Sequence, residues 1–306
     1  MHTKLSLSGK DRVRWLNGMI TNKVRDLAEG QGIYAFVLNP QGHILGDLYA
    51  YNRGEWFLVD TDQGQAEKLL AIFRKYIIMD KVEIADLSEK LVAVGVAGPK
   101  ARDVLRAAGL DFQNLEPLKL VEATWRDTPI TIACGDNAAV ESYEIWLAPE
   151  RVASIRDALN KAGALSVSPA ALELLRIASG IPRYGQDVHE RDLPQETEQL
   201  RALNFNKGCY IGQEIVERIR SRGAVHRKLS GFEVTGSLPT PGTKIQAEGK
   251  DVGEVTSAAS LPLPSGDRAV ALGYIRREVA NAGQRLQAGE AELTVASLPF
   301  AGIFPK

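Results

Sequence analysis

The chain changes character near residue 223, and that change restricts its architecture more than any single motif does. Beyond it, residues 229–235, 243–247, 253–258, 269–275 and 291–296 form short runs with strand character. They are separated by Pro241-Gly242, Gly249-Lys250-Asp251 and Ser265-Gly266-Asp267 turns, with hardly any helical periodicity. Such a segment predicts a small all-β barrel. It divides the 306 residues into an N-terminal region, 1–222, and a barrel, 223–306.

The N-terminal region alternates strands with helices. Ser8 and Asp11 open a first helix in capping-box manner, ahead of Val13, Leu16 and Ile20. Residues 34–39 read as a strand, Pro40-Gln41-Gly42 as a turn, and 43–51 as the hairpin partner. After a further strand at 55–60, Leu69, Leu70, Phe73 and Ile77 share one face of a helix. A second cycle follows: strand 91–96, helix 99–108, strands 129–134 and 143–148, then helices 150–162 and 169–179. Hairpins beside helices give an α+β class built from two split β-α-β subdomains. No glycine-rich phosphate loop follows any of these strands, so neither nucleotide hydrolysis nor a dinucleotide fold is expected.

Composition narrows the function. A net charge of −1 is too low for a nucleic-acid coat, and no run approaches the roughly 20 apolar residues of a membrane helix. Residues 1–10 alternate polar and apolar side chains and lack the apolar run of a signal peptide. Cys134 and Cys209 are far apart, and His43, His189 and His226 show no metal-ligand spacing. The expectation is a cytoplasmic protein with two thiols, no metal site, no membrane and no direct nucleic-acid partner.

The stretch that carries chemistry is Lys207-Gly208-Cys209-Tyr210-Ile211-Gly212-Gln213-Glu214. Ile211, Ile215 and Ile219 recur every four residues, predicting a helix from about 210 to 220 with Glu214 and Arg218 paired at i,i+4. Cys209 then falls at the helix N-terminus beside Lys207, where both features favour a thiolate. Gly208 and Gly212 permit close approach of a ligand. The alternative local reading makes Cys209 a small buried hydrophobe and Lys207 plain surface charge.

This octapeptide resembles the signature of the YgfZ family. Similar organisation extends over nearly the whole chain, through the 42–51 hairpin, Val96-Ala97-Gly98-Pro99, the 175–185 segment and the terminal barrel. The resemblance implies tetrahydrofolate in a central cavity and a cysteine used in iron–sulfur cluster assembly or repair. It implies iron–sulfur client or assembly proteins as partners, including enzymes that modify tRNA. Any cluster would be held transiently or with a partner, because two cysteines in one chain cannot ligate a complete cluster. The related glycine-cleavage aminomethyltransferases carry aspartate where Cys209 stands and arginine where Gln213 stands. They also carry two adjacent acids where this chain has Gly46 and Asp47, and glutamate where it has Ala178. Ala178 cannot pair with the N–H edge of a pterin, whereas Glu196 or Glu198 offers a substitute carboxylate.

The site implied is therefore Cys209, Lys207 and Asp47 for chemistry. Gly208, Tyr210, Gly212, Gln213, Glu214 and Arg218 line the ligand, Arg176 and Arg183 face the folate tail, and Tyr184 stacks on the pterin. A folate-binding accessory factor for iron–sulfur proteins is the first expectation. The alternative is a tetrahydrofolate-dependent one-carbon transferase using Asp47, and the third is an adaptor whose cavity is vestigial.

Overall fold

The computed structural model describes residues 2–223 and 225–304. Fifteen strands and six α-helices follow in chain order: β1 (His2–Ser8), α1 (Arg12–Met19), β2 (Gly32–Leu38), β3 (Ile44–Asn52), β4 (Phe57–Asp62), α2 (Gln63–Tyr76), β5 (Glu83–Asp86), β6 (Val92–Ala97), α3 (Ala101–Ala107), β7 (Leu120–Trp125), β8 (Thr128–Cys134), β9 (Ser142–Leu147), α4 (Val152–Lys161), α5 (Pro169–Ala178), α6 (Gln213–Arg222), β10 (Arg227–Thr235), β11 (Lys244–Ala247), β12 (Lys250–Leu261), β13 (Arg268–Arg276), β14 (Arg285–Ala288) and β15 (Ala291–Ala296). Two compact units result. The first holds residues 1–41, 45–166 and 201–213, and the second holds 42–44, 167–200 and 214–306.

The first unit contains two sheets, ordered β2-β3-β4-β1-β5 and β6-β9-β8-β7. The alternation noted at the N-terminus is strand β1, which lies between β4 and β5 and runs antiparallel to both. Its Leu5 and Leu7 join Trp15, Leu16, Leu69 and Phe73 in the core beneath α1 and α2. A strand covered on both faces must manage any charge it carries. Lys4 is 1% exposed, donates to Asp60 Oδ2 at 2.8 Å and lies 4.6 Å over the Trp146 ring of β9. The second sheet builds its own core with α3 and α4 from Leu105, Ile132, Tyr143, Ile145 and Ile155.

In the second unit a closed barrel runs β10-β13-β12-β11-β14-β15, filled by Phe232, Ile245, Val255, Ala271, Ile275 and Leu293. Helix α5, opened by Ser168 accepting from Ala171 N, packs on this barrel. The α+β class and the C-terminal barrel expected from sequence are both present.

Several local expectations need correction. Strands β1, β5, β7 and β14 were not foreseen, and the last of these completes the barrel with only four residues. The expected capping box is absent. Ser8 ends β1, and Asp11 gives α1 no side-chain cap, because its Oδ2 accepts from Lys81 N at 2.8 Å instead. Helix α6 begins at Gln213 rather than near Tyr210. Gly212 has φ +83°, a left-handed conformation no right-handed helix contains, so the helix starts only after it. Among the described residues no helix is long and apolar enough to cross a membrane.

Candidate functional site

Three groups of polar side chains contain the residues singled out from sequence. The first follows α1. Segment 201–211 is stitched along segment 17–22 by Thr21 Oγ1 donating to Ala202 O (2.6 Å), Asn204 N to Thr21 O (3.1 Å) and Ile211 N to Gly18 O (3.2 Å). Lys207 closes this seam. It is 8% exposed, and its Nζ donates to the carbonyls of Asn17 (2.6 Å), Ile20 (2.5 Å) and Asn22 (2.7 Å). An ammonium has three N–H donors, and all three are engaged. Burial, with Arg25 adding repulsion, pushes this amine down to about 7. The three carbonyls favour the charged form and work against that shift.

The expected role of Lys207 beside a thiolate is therefore corrected: it caps the carboxyl end of α1 with nothing left to donate. Cys209 is exposed and precedes α6 by four residues, outside the helix N-terminal turn that was to hold its thiolate. Tyr210 is buried, with Lys207 Nζ 4.8 Å from its ring centre. Gln213 fastens the turn before α6, accepting from Tyr210 N through its side chain at 3.3 Å. Glu214 and Arg218 form the expected i,i+4 pair at 2.7 Å on the exposed side of α6. A Cβ at Gly208 would meet nothing within 4 Å, so crowding does not require that glycine.

The second group centres on Asp47 in β3. Its Oδ2 accepts from Tyr34 Oη at 2.6 Å, its Oδ1 accepts from Gln65 Nε2, and its backbone N–H donates to Gln65 Oε1 at 3.0 Å. Arg201 lies 4.3 Å over the Tyr34 ring and pairs with Asp136, which also accepts from Tyr49 Oη at 3.1 Å. Burial first, and the Asp47 carboxylate second, push the Tyr34 phenol well above its ordinary range, so it serves Asp47 as a donor. Tyr49 is raised too, by burial, although Arg201 opposes it. Sequence reading found only Asp47 here. Tyr34, Gln65, Asp136 and Arg201 come from four other stretches, while Tyr49 stands two residues along β3 from Asp47, and strand alternation was the one local signal that these two share a face.

The third group surrounds Arg176 at the end of α5. Its Nε donates to Glu173 Oε2 (3.0 Å), its Nη1 to Ile181 O (3.4 Å) and Asp187, and its Nη2 to Glu173 Oε1 and Ser257 Oγ (2.7 Å). Asp187 is fully buried and also receives Thr256, Ser257 and Arg183 N. Arg176 is thus a structural arginine, and its expected contact with a folate tail is corrected on that ground. Arg183 is exposed and lies 3.9 Å from Glu173, and Tyr184 is half-buried in a tight loop bridged to Val188. Ala178 is 3% exposed and packs in an apolar cluster with Val270, Leu272 and Phe300. Glu196 is engaged by Arg227 (3.0 Å) and Leu193 N (3.2 Å), and Glu198 is exposed. Among the described residues no three His, Cys, Asp or Glu side chains group so as to hold a metal ion.

A pterin needs an acceptor for its N–H edge and flat surfaces for its faces. Position 178 offers neither. The Asp47 group meets the first of these needs, with lone pairs on each carboxylate oxygen beyond those used by Tyr34 and Gln65. The Tyr34 ring is buried against Arg201, Phe36 and Tyr49, which leaves half-buried Tyr49 and the Arg201 guanidinium as the flat groups nearby.

Comparison with known proteins agrees with this architecture. Residues 1–207 match the GCVT N-terminal domain, and 227–301 match the glycine cleavage T-protein C-terminal barrel domain. An aminomethyltransferase of Rubrobacter xylanophilus is 31% identical over 90% of this chain and 74% of its own length. One of Thermus thermophilus is 28% identical over 87% and 75%. A chloroplastic protein of Arabidopsis thaliana named as a transferase is 28% identical over 94% of this chain, which spans 66% of that protein. The crystal structure of glycine cleavage system aminomethyltransferase T from Bartonella henselae superposes with a TM-score of 0.86 over 100% of this chain and 86% of that one. At 24% identity this likeness shows the fold.

Proposed function

The chain belongs to the GCVT aminomethyltransferase superfamily, and on that premise we propose that it is a tetrahydrofolate-dependent one-carbon transferase. The observation that carries this reading is the half-buried Asp47 carboxylate, gripped by Tyr34 and Gln65 with acceptor capacity remaining. The relatives named aminomethyltransferases support it. A bound reduced folate would supply the amine nitrogens that take up or release the one-carbon unit. Asp47 would accept a hydrogen bond from an N–H of the ligand, and its negative charge would stabilise the positive charge that develops at the amine nitrogen taking up or releasing the one-carbon unit. Tyr34 would keep the carboxylate oriented, and Arg201, tied to Asp136, would hold the Tyr34 ring.

The test is anaerobic calorimetry with tetrahydrofolate, followed by assay of methylene-tetrahydrofolate formation from aminomethyl donors. Binding and turnover in the wild type, with turnover lost in Asp47→Asn, is the expected result. Binding without turnover on any amine donor would remove the transferase.

A second reading is favoured by the exposure of Cys209, in contrast to buried Cys134. In it the chain is a folate-binding accessory factor for iron–sulfur cluster assembly or repair, as the octapeptide resemblance implies, and acts in the cytoplasm, as composition leads one to expect. Cys209→Ala would then abolish rescue of cluster-enzyme activity in a deletion strain while folate binding persists. Full rescue by that variant excludes a thiol role.

A further inference from the structure

Gln65 is 3% exposed in the first turn of α2, yet neither end of its amide reaches solvent or the helix. Both ends are committed to one residue: Oε1 accepts from the Asp47 backbone and Nε2 donates to the Asp47 carboxylate. The approach depends on Gly46, because a Cβ there would stand 2.6 Å from Gln65 Oε1 and 2.8 Å from Leu69 Cδ2. Thr61 Oγ1 fixes the same stretch by donating to Asp47 O at 2.8 Å. With Tyr34 on the other oxygen, each carboxylate oxygen receives one protein donor. A carboxylate held this way presents lone pairs only, and those left over point away from both donors.

We propose that Gln65 is the positioning residue of the site: it locks Asp47 in place as a hydrogen-bond acceptor, so that the site selects ligands presenting N–H groups over ligands presenting anions or carbonyls. The proposal rests on the folate reading for the identity of the ligand, but its central claim concerns two side chains of this chain alone. A buried amide bridging backbone and carboxylate of one residue removes the freedom of that carboxylate to rotate, which is the requirement for precise proton or charge handling. The Tyr34 phenol, raised by burial and by Asp47, stays a donor and reinforces the same polarity. The other ionisable groups around the carboxylate are Tyr49 and Arg201, with Asp60 and Asp136 acting on Tyr49 and Arg201 in turn. None of these changes in the variants below.

The experiment is carbon-13 NMR of aspartate-labelled protein at fixed pH, with the Asp47 carboxylate signal assigned by its loss in Asp47→Asn. In Gln65→Leu the carboxylate loses one of its two donors and the anchor that stops it rotating, so at fixed pH its resonance should shift and broaden while those of the other aspartates stay in place. Gln65→Glu keeps the reach of the side chain but donates only when protonated. Its tetrahydrofolate affinity by anaerobic calorimetry should lie within about threefold of wild type at pH 5.5 and at least about tenfold below it at pH 8. An unmoved, unbroadened Asp47 carboxylate resonance in Gln65→Leu overturns the proposal, even if folate affinity falls, since that loss would then come from packing. An equal loss of affinity by Gln65→Glu at both pH values overturns it as well. Absence of tetrahydrofolate binding by the wild type would sink the folate reading, and the Asp47 resonance would still decide the role of Gln65.

Discussion

The Arg176 group and the Asp47 group look alike in sequence, each a charged residue near glycine in a region expected to face folate. In the folded chain they differ in one respect. Arg176 has all five of its N–H donors engaged, by Glu173, Asp187, Ser257 and the Ile181 carbonyl, whereas Asp47 has one donor on each oxygen and lone pairs to spare. A saturated polar network builds structure, because breaking any bond in it strands a buried partner. An unsaturated one in a half-buried position can recognise a ligand. Charge and neighbourhood do not separate the two cases; the count of remaining hydrogen-bond capacity does.

The sharpest way to break this comparison is to remove the arginine. Arg176→Ala leaves Asp187 fully buried without its guanidinium and should cost about 3–5 kcal/mol in denaturant unfolding. Retained stability with weakened folate binding would instead put Arg176 in the ligand site. Next comes Lys207→Met, which strands the carbonyls of Asn17, Ile20 and Asn22 and should cost about 3 kcal/mol.

Lys207 also carries a pH signature. Its amine is pushed down to about 7 from 10.5, so between those values the unfolded chain binds more protons than the folded one. Stability contributed at this position should rise with pH across that window and be lowest below about 7. Comparison of unfolding free energies of wild type and Lys207→Met from pH 6 to 10 measures the slope. A flat difference would mean that the three carbonyls hold the charged form throughout.

Smaller effects are expected where capacity is unsaturated. Asp47→Asn should change unfolding free energy by about 1 kcal/mol or less, while one-carbon transfer drops by roughly a hundredfold or more. A large stability loss with unchanged turnover would assign Asp47 to the structural class. Exposed Cys209 should show the least: Cys209→Ala is expected within about 0.5 kcal/mol of wild type by denaturant unfolding.

Much of the fold was legible because hydrophobic periodicity and turn chemistry are local. The hairpin of β2 and β3, the helices α2, α4 and α5, and five of six barrel strands all followed from runs visible in the chain. Strand β14 escaped because four residues between turns carry too little pattern. Strand β1 escaped because its alternation includes Lys4, a residue that strand interiors bury only with a partner, and Asp60 lies 56 positions away.

The site was less legible, for a related reason. Cys209 and Lys207 could be singled out by residue type and spacing and Asp47 by the resemblance to the aminomethyltransferases, and the start of α6 was already encoded in Gly212. Their partners could not be. Gln65 reaches Asp47 from another element, Tyr34 from a neighbouring strand, and Lys207 finds its carbonyls at positions 17, 20 and 22. Sequence by itself determined the α+β class, the barrel and the positions where chemistry could reside. Only the tertiary structure decided which polar groups have hydrogen-bond capacity left, because that capacity depends on donors and acceptors that meet in space and are distant along the chain.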